Sequence, residues 1–219
     1  MPTGETREDA PIGGAATVEA AAPPKRRMRG PERKAQLLAV ARKVFGRVGF
    51  HNASLDDVAR EAGVTKPILY DHFNSKEALY LSLLDVDAAA LEERVRAALA
   101  AKTGNRERIR ASFQAYFDFV DEHPEGFRMV MEEMVGPQDE FRSKVGGVRE
   151  RITGEVTDLI VRESRGTIGR TDAVTVSLGL VGMVETVAQR DPGGPKEERD
   201  RAVDVLVALA WRGITQLGS

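Results

Sequence analysis

"GVTKPILYDHFNSKEALY", residues 63–80, sets a glycine turn, a helix start, several aromatic rings, a histidine and two lysines within eighteen positions. Thr65 is placed to cap a short helix with Pro67 in its first turn, where a missing N–H costs nothing. The helix is expected to run to about Phe73. At about 100° per residue, Leu69 and Phe73 point one way and Pro67 and Asp71 the other, with Lys66 and Tyr70 on one flank and Ile68 and His72 on the opposite one. A solitary surface helix has no need of tyrosine and isoleucine on its outer side. Asn74, with Glu77 three residues later, reads as a capping arrangement that opens a long helix from Ser75 to about Ala101.

Immediately upstream, Ser54 opens a short helix whose buried stripe is Leu55, Val58, Ala59 and Ala62. Asp57 lies in its first turn, where a negative charge suits the helix dipole, and Gly63 ends it. A first helix, about Pro31 to Val48, carries Leu37, Leu38, Ala41, Val44, Phe45 and Val48 on a single face and stops at Gly49. Two short helices joined by a tight glycine turn match a helix-turn-helix, whose second member can enter a major groove about 12 Å wide. Charge agrees with that reading. Between Lys25 and Leu84 twelve basic residues face six acidic ones, a local +6 within a chain of net charge −2, and such asymmetry points to a polyanionic partner.

The rest of the chain is helical in its apolar spacing. Further helices are expected over Asn105–Glu122, Pro124–Val135, Pro137–Glu163, Thr171–Arg190 and Pro195–Leu217, separated by glycine and proline breakers, with Gly146-Gly147 able to split or kink the third of these. The class is all-α with about nine helices. Residues 1–30 read as a flexible tail with a basic arm, "KRRMR" at 25–29, which either stays solvated or reaches phosphates or a minor groove. Residues 31–75 form the helix-turn-helix domain and 76–219 a second helical domain. There is no cysteine, so disulfides and thiolate metal sites are excluded, and a cytoplasmic location is the default expectation. The most apolar stretch, "AVTVSLGLVGMVETVA", is shorter than the roughly 20 residues of a membrane helix and carries Glu185, so no membrane span is expected. "DEHPE", Asp121 to Glu125, could be drawn as a metal or acid–base cluster, but it lacks a second histidine at ligand spacing and reads better as solvated helix-end charge. With no glycine-rich phosphate loop and no nucleophile context, neither an enzyme nor a cofactor or metal is expected; a protein-only adaptor would leave the basic surface idle.

Residues 33–84, "RKAQLLAVARKVFGRVGFHNASLDDVAREAGVTKPILYDHFNSKEALYLSLL", resemble the DNA-binding domain of the TetR family of bacterial transcriptional regulators. The resemblance implies a three-helix DNA-binding domain, a helical ligand-binding and dimerisation domain, repression of transcription, and release from DNA when a small molecule binds. It places Thr65, Lys66 and Pro67 at the start of the recognition helix and makes Tyr70, His72 and Lys76 phosphate contacts. Phenol and imidazole groups can donate to phosphate oxygens, and lysine supplies a point charge. Ser54 is a further phosphate candidate, although its cap alone would explain it. Asp71 either accepts from a cytosine amino group or leans into solvent.

Residues 105–145 concentrate Phe113, Tyr116, Phe117, Phe119, Phe127, Met129, Met131, Met134 and Phe141. Part of this cluster suits the lining of an apolar cavity, with Tyr116, Phe117, Phe127, Met131 and Met134 as the candidate ligand contacts and the Tyr116 hydroxyl as a polar handle. "FQAYFDFVDEHPEGFRMVMEEM", "LGLVGM" and "ALAWRGI" are also similar to actinobacterial regulators of fatty-acid synthesis that sense long-chain acyl-CoA. That resemblance implies a lipophilic effector, and a ligand-responsive activator is the alternative outcome. The last two helices, with Val174, Val176, Leu178, Leu180, Val181, Met183, Val184 and Val187 on one and Val203, Leu206, Val207, Ala210, Ile214 and Leu217 on the other, are expected to form a homodimer interface that addresses an inverted-repeat operator in double-stranded DNA.

Overall fold

A computed structural model of the chain describes residues 29–101, 104–124, 127, 139–190 and 194–217. Among the described residues there are eight α-helices and no strand: α1 Gly30–Asn52, α2 Leu55–Ala62, α3 Lys66–Tyr70, α4 Lys76–Ala100, α5 Asn105–Glu122, α6 Asp139–Glu163, α7 Arg170–Ala188 and α8 Lys196–Leu217. The helix expected over Pro124–Val135 lies almost wholly outside them, as do the basic arm, Met131 and Met134.

Local chemistry explains the N-terminal boundaries. Gly49 adopts φ 77° and ψ 163°, a conformation closed to L side chains, so α1 kinks there and one short turn carries on to Asn52. Ser54 and Asp57 form a reciprocal capping box: the Asp57 N–H donates to Ser54 Oγ at 3.1 Å and the Ser54 N–H to Asp57 Oδ2 at 3.2 Å. Gly63 is left-handed at φ 64°, and Val64 N–H reaches back to the Ala59 carbonyl, closing α2 in a Schellman-type end. Two sequence expectations shift by a residue or more. Thr65 stands at the N-cap of α3 but its hydroxyl makes no capping bond, and the cap of α4 is Ser75, which accepts from Ala78 N–H, rather than Asn74. The regular part of α3 ends at Tyr70; Asp71, His72 and Phe73 continue as turns whose N–H groups still reach the Pro67 and Leu69 carbonyls.

Two cores organise the molecule. The first joins α1, α2, α3 and the beginning of α4 around Leu37, Val44, Phe45, Val58, Leu69, Phe73, Leu79, Tyr80 and Leu83. Phe45 meets the Tyr80 ring edge-on at 5.2 Å. Val48, expected on this face, is instead partly exposed. The second core packs α4 through α8 around Val95, Phe113, Phe117, Val120, Ile152, Leu180, Val184, Val203 and Val207. Gly146-Gly147 does not break α6, which runs through them. Helix α7 has a mean hydropathy of 1.3 over its most apolar window, yet Ala173, Ser177, Leu180, Val181, Val184 and Ala188 pack into this protein interior.

Helix α8 requires a correction. Val203, Leu206, Val207 and Ala210, expected to meet a second subunit, are buried in the monomer's own core. The face turned outward carries Val205 and Leu209, each 60% exposed, and beside it α7 exposes Val174 and Leu178. Counting apolar steps fixed the period of α8 and not its rotation, because both stripes are apolar.

Candidate nucleic-acid interface and internal cavity

The second member of the helix-turn-helix is held by its inner side. Leu69 is fully buried and Phe73 nearly so, which leaves Thr65, Lys66, Pro67, Tyr70 and Asp71 exposed and Ile68 and His72 half-buried. This is the disposition the helical wheel requires. Lys66 Nζ lies 2.6 Å from Asp56 Oδ2 on α2, and this partner raises the lysine's pKa. Arg47 on α1 pairs with Glu61 on α2 at 2.7 Å.

Two of the candidate phosphate contacts have internal work. The Ser54 hydroxyl accepts from Asp57 N–H and lies 2.6 Å from Asp57 Oδ2, to which it donates, and this bond helps hold the Asp57 carboxyl below the usual carboxylate range. The single hydroxyl proton is therefore engaged, next to a negative charge that disfavours an anion. Lys76 Nζ donates to the carbonyls of Phe50 at 2.8 Å, Ala53 at 3.1 Å and His51 at 3.4 Å, and sits 4.4 Å from the centre of the Phe50 ring. All three ammonium protons serve the carbonyls left open by the Gly49 kink. Lys76 thus fastens α4 to the end of α1.

A cavity of about 380 Å³ runs through the second core. From α4 it is lined by Leu84, Ala88, Leu91, Val95 and Leu99, a stripe about 22 Å long at roughly 1.5 Å rise per residue. Of the expected ligand contacts, Tyr116 and Phe127 line it, with ring centres 6.2 Å apart and planes perpendicular. Phe117 does not: it faces a separate crevice beside Val187, Pro195 and Arg199. The remaining wall comes from α5, α6 and α7, through residues such as Ile109, Phe113, Val148, Ile152, Leu180 and Val184, and from Trp211 and Ile214 on α8. Met131 and Met134 lie outside the described residues.

Charged groups at this cavity went unread in the sequence. Asp87 on α4 is 3% exposed and lines the cavity on one side while holding Arg42 of α1 on the other; Arg42 Nε donates to its Oδ2 at 3.1 Å and the Arg42 Nη2 to its Oδ1. A lone aspartate inside the α4 stripe was the available signal. Arg149 and Glu185 also line the wall, with Arg149 Nε 3.1 Å from Glu185 Oε2. Burial raises the Glu185 pKa and Arg149 opposes the shift. Of the "DEHPE" charges, Asp121 pairs with Arg199 and Glu122 with Arg94, while the His123 ring meets Phe119 at a tilt with centres 5.1 Å apart. No cluster of metal-ligating side chains occurs among the described residues.

Comparison with known proteins agrees with both halves of this geometry. Residues 37–83 match the model of bacterial regulatory proteins of the tetR family, and residues 105–213 match a tetracyclin repressor-like C-terminal domain. The chain is 36% identical to the HTH-type transcriptional activator FasR of Mycolicibacterium smegmatis over 187 residues, 85% of this chain and 84% of that one. A TetR-like transcriptional regulator from Rhodococcus sp. RHA1 superposes with a TM-score of 0.72 at 29% identity, covering 86% of this chain and 99% of that one. AibR, solved in complex with isovaleryl coenzyme A and operator DNA, shares the fold with a TM-score of 0.66 at 19% identity over 81% of this chain and 97% of that one. A helix-turn-helix with a buried inner side and an exposed recognition face, joined by one long helix to a cavity-bearing bundle, is therefore the arrangement of a DNA-binding transcriptional regulator, and the chain belongs to the TetR family.

Proposed function

We propose that the protein is a homodimeric regulator that binds an inverted-repeat operator and changes its affinity for DNA when a long-chain acyl compound, such as an acyl-CoA, fills the cavity. The observation that carries this reading is the double membership of α4: its first turns complete the DNA-binding core, and its next four turns line an apolar channel. A ligand along that channel acts on the helix that positions the recognition face. The extended apolar stripe suits a chain better than a compact ring. AibR, which shares the fold, supports the lipid reading through the isovaleryl coenzyme A it holds.

On the DNA side, Thr65, Lys66, Pro67, Tyr70 and His72 make the contacts. Asp71 is turned outward with them, and Ser54 and Lys76 hold the frame. Exposed Val174, Leu178, Val205 and Leu209 supply the apolar face that a second subunit covers. Repression is the sequence expectation; the similarity to a protein named as an activator favours activation as a second reading. Such a protein acts where the chromosome is, in the cytoplasm.

The test is genome-wide selection of bound fragments followed by titration of one fragment with and without palmitoyl coenzyme A. Affinity should drop by orders of magnitude between about 50 and 200 mM salt as counterions are released. The acyl-CoA should shift it by about 5- to 150-fold, the range of a coupling of about 1–3 kcal/mol. Lys66→Ala or Pro67→Ala should also change sequence preference. Binding indifferent to salt defeats the DNA reading; binding indifferent to acyl-CoA defeats the effector reading. A reporter fusion to the selected promoter separates repression from activation.

A further inference from the structure

The cavity wall is apolar except at a few places, and most of its charges are matched: Asp87 by Arg42 and Lys144 by Asp85 from outside the cavity, and Arg108 by Glu163 on the wall itself. One polar group differs. Tyr116 is 6% exposed and lines the cavity, so its hydroxyl is set in an apolar wall. A hydroxyl in such a wall is a candidate contact for a bound ligand. Beside it lie Arg149 from α6 and Glu185 from α7, both of whose charges act on the phenol. The Arg149 Nε is itself buried and its N–H is not directed along a hydrogen bond, although the Glu185 oxygen lies 3.1 Å away.

We infer that Tyr116, Arg149 and Glu185 form a recognition point for the neutral carbonyl of an acyl ester, thioester or amide, and that they discriminate against the free carboxylate of the same chain. The inference rests on the reading of the cavity as a lipid site and deepens it. Tyr116 supplies the donor. Burial and the Glu185 charge push its phenol well above the usual tyrosine range, so the proton stays on the oxygen and is available to a carbonyl acceptor. Arg149 and Glu185 are an opposed pair, so the site is already balanced in charge. A neutral carbonyl leaves that balance intact, whereas a carboxylate adds a negative charge with no counterion in a poorly solvated place next to Glu185. A hydrocarbon of equal length would offer the Tyr116 hydroxyl no acceptor.

The protein carries its own reporter, because its one tryptophan, Trp211, lines the cavity. Titrations of full-length protein with methyl decanoate and with decanoate, followed by tryptophan fluorescence and by calorimetry at neutral pH, give the two affinities directly. The ester should bind at least about fivefold more tightly than the acid. Tyr116→Phe should weaken the ester about five- to tenfold, the effect of one lost hydrogen bond. Glu185→Gln removes the like charge and should raise decanoate affinity toward that of the ester, a selectivity change that loosened packing would not produce. Equal binding of ester and acid by the wild type, or ester affinity unchanged in Tyr116→Phe, overturns this inference while leaving the lipid reading intact. Failure of the wild type to bind either compound overturns both.

Discussion

Lys66 and Asp56 bring an anion to the edge of the recognition face. Both side chains are open to solvent, 60% and 49% exposed, and exposed pairs of this kind add little to the stability of a fold. Asp56→Asn should therefore leave the melting temperature nearly unchanged. Its effect falls on DNA: a lysine freed from its carboxylate can neutralise a phosphate, so affinity should rise and the salt dependence should steepen by about one counterion. Unchanged affinity and slope would place Lys66 away from the phosphates. At this scale the sequence was legible in residue type and side, since Thr65, Lys66, Pro67 and Tyr70 are all exposed above a buried Leu69. It was not legible in partner. Lys76 and Ser54 have the chemistry of phosphate ligands, but the Ser54 proton goes to the Asp57 carboxylate of its own capping box, and the Lys76 protons go to the carbonyls of Phe50, His51 and Ala53, tertiary neighbours that no spacing rule brings to it.

Between elements, Arg42 and Asp87 connect α1 directly to the helix that lines the cavity. Removing one member strands the other in a poorly hydrated place, and Asp87→Ala should cost about 3–5 kcal/mol of stability. Replacing both with apolar residues of similar size should restore most of it. The Arg42→Met/Asp87→Leu double variant then separates stability from coupling: it should melt near the wild type and still bind operator, but palmitoyl coenzyme A should move its DNA affinity far less. A full response in the double variant would route the coupling elsewhere along α4. The pair joins positions 45 residues apart, so the sequence offered only an aspartate in an apolar stripe. Glu185 had the same status. Its presence argued against a membrane span, and that single use concealed its place in the cavity wall.

For the whole molecule, the order of the described helices and the first core were legible because the apolar faces of α1 and α2 agree with the glycines that follow them, Gly49 and Gly63. The rotation of the last two helices was not. Val184 is 5% exposed and belongs to the monomer's interior, so Val184→Asp should simply unfold the second core. The informative variant is Leu209→Asp, on a residue 60% exposed. Sedimentation at micromolar concentration should give a dimer for the wild type and a folded monomer of 23.9 kDa for Leu209→Asp, with operator binding lost because a single half-site contact is too weak. A dimeric Leu209→Asp protein, or a monomeric wild type, would remove α7 and α8 as the interface.

Because Leu79, Tyr80, Leu83 and Leu84 are shared with the first core, the DNA-reading half has no self-sufficient end at residue 75. A fragment cut there would lose a wall of its interior and the Ser75 cap's helix. Evolution faces the same seam. A recombination that grafts this reading head onto another bundle must carry the first turns of α4 with it, and a graft extending one turn further brings Asp87, so that the borrowed head arrives with its own anchor for Arg42.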